Sequence, residues 1–310
     1  MLRYIIRRLL AGIPVLLGVS LITFILMHIV PGDPVSVAFD KRYDPAAIAS
    51  IKHELGLDRP IPVQYLDFVK GAVTGDLGAS FQSKKPVMQI IGDGLPATLK
   101  LTASSVLVTL LLGIPLGVLA AVKKGTWLDW GATLGTLTFI SAPVFWIAML
   151  AQILVFTLNK ATGGNWPISG FRTPLHLILP AIVLGSRYAA SLSRHTRTAM
   201  LDVLGQDYTR TARSKGVSER LVIFKHALKN ALVPVLTIVG LEIGGLLTGS
   251  ILIESVFGIP GVGLATINGL TNRDFPVIQG SVLFTAVIFV LINILVDISY
   301  SFVDPRIRIS

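Results

Sequence analysis

Four ionisable side chains stand inside long apolar runs: Arg187, Glu242, Glu254 and Asp297, with Asn293 one helical turn before Asp297. A charge at the centre of a membrane-spanning helix costs about 2.5–3.5 kcal/mol on insertion scales, so such groups face protein or a wet cavity. Their chemistry is that of a polar lining for a path through a membrane. Glu242 is the most central. Arg187 and Asp297 both lie toward one end of their runs, where they can pair. Glu254 lies about one turn from the other end, within reach of water. A buried structural ion pair accounts for each of these residue types equally well.

Enzyme constellations are missing. The sequence contains no Gly-Lys dipeptide, so it has no P-loop and hydrolyses no ATP by itself. His53-Glu54 is followed at the critical spacing by Leu57 and not by a second histidine, which excludes the zinc-protease helix. No Gly-x-Ser-x-Gly elbow occurs. The five histidines (28, 53, 176, 195 and 226) fall on different sides or depths of the expected membrane and form no metal cluster. Gly258-Ile-Pro-Gly-Val-Gly263 follows an apolar helix and not a strand, so it is a poor dinucleotide loop. With no cysteine, thiolate metal sites and disulfides are excluded.

The elements that must carry these residues follow from composition. Of 310 residues, 52% are hydrophobic and only 14% charged, and the mean hydropathy is +0.73. Soluble domains carry roughly 25% charged residues, so this is a membrane protein. Six apolar runs reach the roughly 20 residues that cross a bilayer: 9–30, 101–122, 130–158, 175–193, 231–257 and 277–303. The first is too long for a cleaved signal sequence and is read as a retained anchor. Pro14, Pro115, Pro143 and Pro180 lie within runs and Pro234 near the start of one, marking expected kinks. Gly113-x-x-x-Gly117, Gly131-x-x-x-Gly135, Gly240-x-x-x-Gly244 and Gly245-x-x-x-Gly249 allow close helix packing, within the bundle or at a dimer seam.

Charge sets the orientation. The connections 1–8, 123–129, 194–230 and 304–310 hold 15 Lys and Arg in 59 positions, whereas 31–100, 159–174 and 258–276 hold 11 in 105. The denser set faces the cytoplasm, so both termini are cytoplasmic. The net charge of +10 thus reflects topology, and no nucleic acid is expected as a partner. Two connections exceed a turn. Segment 31–100, outside, carries 8 basic and 8 acidic residues and paired turn signals, and reads as a small polar domain. Segment 194–230, inside, carries 8 basic against 3 acidic residues.

Within that inner segment, Asp207 can cap a short helix over 208–215, with Gly216 as its left-handed terminator. Ser218 can cap a second helix over 219–229 that leads to Pro234. A polar helix is therefore held between two longer ones, projecting into the cytoplasm. A solvated basic loop that only fixes topology is the alternative.

Tyr208-Thr-Arg-Thr-Ala-Arg-Ser-Lys-Gly216, followed by His226-Ala-Leu-Lys-Asn-Ala-Leu-Val-Pro234, resembles the cytoplasmic loop of permease subunits of binding-protein-dependent ABC importers, nearest their dipeptide/oligopeptide branch. The resemblance runs the length of the chain. It includes Leu9-Leu-Ala-Gly-Ile-Pro-Val-Leu-Leu-Gly18, Pro31-Gly-Asp-Pro34, Gly75-Asp-Leu-Gly-Ala-Ser80, Pro96-Ala-Thr-Leu99, Glu254-Ser-Val-Phe-Gly-Ile-Pro-Gly-Val-Gly263 and Asp304-Pro-Arg-Ile-Arg308. Arg210-Thr211-Ala212 departs from the Glu-Ala-Ala of the general importer loop, as the peptide branch does, so no glutamate role carries over.

The resemblance implies an all-α polytopic membrane protein of the prokaryotic cytoplasmic membrane. It would have six transmembrane helices, an extracytoplasmic domain after the first, and a cytoplasmic coupling helix between the fourth and fifth. The implied domains are 1–30, 31–100, a permease core 101–303 with coupling loop 194–230, and a tail 304–310. The implied partners are a second homologous permease, two cytoplasmic ATPase subunits, an extracytoplasmic solute-binding protein and membrane lipid. The chain itself is non-enzymatic and needs no cofactor; ATP and Mg belong to the ATPases. Asp207, Tyr208, Thr209, Arg210, Thr211, Ala212, Arg213, Lys215 and Gly216 would couple to an ATPase, while Arg187, Glu242, Glu254, Asn293 and Asp297 would line or gate the path. Segments 31–100 and 258–276 are the natural surface for the binding protein. The implied cargo is a di- or oligopeptide. The alternatives are a nickel chelate, glutathione or an oligosaccharide, or a non-transporting membrane scaffold.

Overall fold

The structure, a computed structural model, describes residues 2–29, 49–50, 52–53 and 56–303. The Pro31–Pro34 and Asp304–Arg308 motifs and the side chain of Asp297 lie outside the described residues. Among the described residues ten helices follow in order: α1 (Leu2–Ile29), α2 (Ile61–Thr74), α3 (Val87–Val122), α4 (Trp127–Ser141), α5 (Val144–Thr162), α6 (Leu175–Leu204), α7 (Asp207–Ser214), α8 (Glu219–Phe257), α9 (Val262–Thr271) and α10 (Phe275–Val303). Among the described residues there is no strand, only an isolated bridge between Ala79 and Pro86. Six helices are long and apolar enough to cross a membrane: α1, α3, α5, α6, α8 and α10. The all-α, six-span expectation therefore holds.

The third run departs from its expected form. Residues 130–158 are not one helix but two, because the backbone is extended at Ala142 (ψ 137°) and Pro143 (ψ 131°). The residue before proline is driven out of the α region, and the chain turns there. The spanning element is α5, while α4 has 15 residues. The other interior prolines, Pro14, Pro115, Pro180 and Pro234, stay within continuous helices. Helices also outrun their apolar windows. The α3 helix begins at Val87, α6 ends at Leu204 and α8 begins at Glu219, since hydropathy marks only the lipid-matched part of a helix.

Two compact units emerge, Met1–Thr98 with Ile259–Leu291, and Leu99–Gly258 with Ile292–Ser310. In the first, α2 packs on α1 through Tyr65, whose hydroxyl lies 3.0 Å from Ser20 Oγ and whose ring meets Phe24 edge-on. A core of Leu77, Val87, Ile91, Val262 and Val277 joins the N-terminal ends of α3, α9 and α10.

In the second unit, α6 is the central helix, packed on α4, α5 and α8. Close approach depends on glycine. A Cβ on Gly117 would lie 2.5 Å from the Ser193 carbonyl oxygen, and one on Gly185 would lie 2.7 Å from that of Ser105. Gly245 and Gly249 of α8 receive the Tyr188 ring. These pairs pack within the bundle. Gly131 and Gly135 of α4 do not, for no atom lies within 4 Å of where their Cβ would stand. At the far end of α8, Gln152 donates to the Val256 carbonyl (3.2 Å) and the Gly170 N–H to that of Phe257 (2.7 Å), satisfying helix-terminal acceptors.

Candidate functional site

The inner segment forms the expected short helix, α7, with one local difference. Its N-cap is Gln206 in extended conformation, and Asp207 is the first helical residue, making no capping bond. Asp207 acts through its charge at the positive end of the helix dipole. The other end is as expected. Gly216 has φ +75°, its N–H reaches the Arg213 carbonyl (2.9 Å), and the Val217 N–H reaches that of Ala212 (3.2 Å). This paired arrangement closes a helix with a left-handed glycine.

The α7 helix is fixed to a platform. Thr209 is fully buried, and its hydroxyl lies 2.6 Å from the Gln206 carbonyl oxygen and 3.0 Å from that of Leu204. Asn230 Nδ2 donates to the Tyr208 hydroxyl (2.9 Å). Arg213 grips Glu219 with two bonds of 3.1 and 2.8 Å. Beneath lies a cluster of Val118, Ala121, Met200, Ile223, Ala227 and Ala231, drawn from α3, α6 and α8. Residues Val222–Leu228 of α8 are π-helical, a widening that hydropathy does not signal and that often marks functional sites. Asp207, Tyr208, Arg210, Thr211, Arg213 and Lys215 are exposed, and Ala212 is half-buried. The helix thus presents a polar outer face from a rigid mount.

A second concave site lies in the first unit. Segments 80–94 and 260–277 enclose a pocket of about 430 Å³ bordered by Lys85, Asp93, Asn268, Asn272 and Asp274. Its wall is locked by Asp274, which is buried and accepts from Ser80 Oγ (2.5 Å), the Phe81 N–H (3.0 Å) and the Gln82 N–H (3.4 Å). Val262 N–H donates to Thr98 Oγ1 (3.0 Å) on the same unit. Parts of the two segments singled out from sequence, 31–100 and 258–276, therefore line one pocket.

The candidate path residues separate. Glu242 on α8 is half-buried beside Ser191 of α6, and its Oε2 has no hydrogen-bond partner. Arg187 and Tyr188 lie on α6, with Arg187 exposed. Glu254 does not reach water. It is fully buried, because the last turn of α8 is covered by protein. Asn293 is half-buried on α10. The pairing of Arg187 with Asp297 falls on a side chain outside the described residues.

Sequence reasoning missed one strong ion pair. Arg197 of α6 grips Asp129 of α4 with two bonds, 2.7 and 2.8 Å, and the Gly125 N–H adds a third at 3.0 Å. Asp129 is only 5% exposed. The Arg197 guanidinium, helped by the Gly125 N–H, holds the Asp129 carboxyl down at about 2. Lone acid that it is in the 123–129 connection, Asp129 gave no sign of its partner 68 positions away.

Long apolar helices, a mounted polar helix in one unit and a concave polar face in the other describe a polytopic membrane protein. The chain belongs to the family described as the inner membrane component of binding-protein-dependent transport systems. That family's profile matches residues 113–309, and the corresponding N-terminal profile matches residues 1–102. Among its relatives is the dipeptide transport system permease protein DppB of Alkalihalophilus pseudofirmus, 42% identical over 99% of this chain and 100% of that protein. Another is the glutathione transport system permease protein GsiC of Pectobacterium atrosepticum, 43% identical over 99% of both chains. A crystal structure of an amino acid ABC transporter with histidines shares the fold, with a TM-score of 0.51 and 18% identity over 69% of this chain and 94% of the other.

Proposed function

We propose that this chain forms half of the translocation path of an ATP-driven importer for di- and oligopeptides. It pairs with a second, homologous permease and works by alternating access. Two cytoplasmic ATPase subunits supply the energy, since the chain has no phosphate-binding loop of its own. The observation that carries this reading is the mounting of α7. A short helix with a buried hydroxyl anchor, a glycine stop and an ion pair to the next helix is built to transmit displacement. ATP-driven closure of the ATPases pushes α7, and its platform passes the movement to α3, α6 and α8. Both termini and α7 face the cytoplasm, as the density of Lys and Arg indicates.

The outer pocket bordered by Lys85, Asp93 and Asn272 is the docking surface for an extracytoplasmic solute-binding protein. Glu242 lines the path, where a peptide needs a polar but weakly binding route. Peptide cargo follows from the dipeptide permease relatives. Glutathione, itself a small peptide, is the second reading, because the glutathione permease relative is as similar. The test is to copurify the importer's binding protein and identify its bound ligand by mass spectrometry. Short peptides are expected; a nickel chelate or an oligosaccharide would overturn the assignment.

A further inference from the structure

The second unit contains a groove that its own packing leaves open. It has a volume of about 770 Å³ and is walled by α3, α4, α5 and α6, with Thr136 and Ser186 as its only polar side chains. Its floor includes Gly131 and Gly135, the one small-residue pair among those noted in the sequence that meets open space. The groove runs along α4 from Trp127 to Phe139. Twelve residues at 1.5 Å each make about 18 Å. One leaflet of a bilayer core is roughly 15 Å deep, half of about 30 Å. The groove therefore fits a chain that enters from one membrane face and stops near the middle. A membrane-spanning helix from another subunit would need a seat about twice as long.

The open end is basic and aromatic. Lys123 follows Leu119 of the groove wall by one helical turn, with its N–H on the Leu119 carbonyl (2.9 Å), and lies in the short turn that leads from α3 to Trp127 of the same wall. Lys124 is exposed beside it. Trp127 and Trp130 are 79% and 65% exposed, the arrangement of side chains that sit at headgroup level. The one acid nearby in sequence, Asp129, is engaged by Arg197 and the Gly125 N–H. The local field at the mouth is therefore positive, while the interior is apolar.

We propose that this groove binds one anionic phospholipid, its acyl chain along α4 over Gly131 and Gly135 and its headgroup on Lys123 and Lys124. The site requires only that the chain crosses a membrane, and it does not depend on the importer reading. A lipid seated there fills the space beside α4 and holds that helix against α6.

The test is native mass spectrometry of the full chain released from detergent with added phosphatidylglycerol or phosphatidylcholine. One phosphatidylglycerol is expected to be retained in preference to phosphatidylcholine. Lys123→Gln with Lys124→Gln, both exposed, lowers phosphatidylglycerol retention roughly tenfold and leaves phosphatidylcholine unchanged, with the unfolding midpoint of the variant measured alongside. Gly135→Leu fills the groove and lowers retention of both. Equal retention of the two lipids by the unsubstituted chain, or an undiminished preference in the lysine variant, would overturn the proposal. So would a Gly135→Cys variant that cross-links to a second permease subunit in native membranes, since a helix would then occupy the groove.

Discussion

Asp129 and Arg197 show how much one pair of residues can hold. Asp129 opens α4, Arg197 stands on α6, and the two carboxylate oxygens accept two guanidinium bonds and one backbone bond. Asp129→Asn leaves Arg197 without its countercharge. Because Arg197 keeps part of its side chain in solvent, the loss is about 1–3 kcal/mol, below that of a fully buried pair. The carboxyl is held at about 2, below the ordinary aspartate value of about 3.9. Its contribution is therefore complete above about pH 4 and is lost as pH falls through about 2. Thermal unfolding of the two forms in detergent should differ at neutral pH and converge in strong acid. Glu242 carries a second prediction. Glu242→Gln keeps the shape and removes the charge; a several-fold drop in uptake places it on the path, and wild-type uptake removes it. The residue types of the path candidates were legible in sequence, but their burial was not. Glu254 lies near a helix end yet is fully covered, because coverage depends on tertiary neighbours that one-dimensional position does not report.

For the helices, packing against glycine separates real seams from open faces. Gly117→Ala puts a methyl group 2.5 Å from the Ser193 carbonyl oxygen and from Thr196 Cβ, so α3 and α6 must part, at about 1–3 kcal/mol. Gly131→Ala meets nothing within 4 Å and should leave the unfolding midpoint unchanged or raised, since alanine favours helix. Equal destabilisation by both would contradict the packing described. The spacing of four residues was visible in the sequence for every pair, but which partner each pair meets was not, because spacing is a property of one helix and a seam is a property of two. The stop of α7 at Gly216 was fully legible, since few residues other than glycine adopt φ +75° at a helix end. The start was not. Gln206 took the cap position expected for Asp207, a shift of one residue that capping preference alone does not resolve. The π-helical turns of Val222–Leu228 had no sequence signal at all.

At the scale of the whole molecule, six apolar runs and the asymmetry of Lys and Arg carried the class of protein, because a bilayer imposes length and charge rules stricter than those of water. The third run misled, since hydropathy is blind to a turn at Ala142-Pro143 between two apolar helices. What the proposed function requires of this chain is a rigid contact for the energy source, the role proposed here for α7. The direct test is uptake and ATP hydrolysis in the importer reconstituted in vesicles with its binding protein, comparing wild type with Arg210→Glu, Ala212→Arg and Gly216→Pro. Arg210 is on the exposed face of α7, and proline cannot adopt the φ of +75° that position 216 requires. All three variants should insert and bind the binding protein, yet lose uptake, with hydrolysis no longer answering to cargo. Full uptake by the three, with hydrolysis still stimulated by the loaded binding protein, would contradict the role assigned to α7.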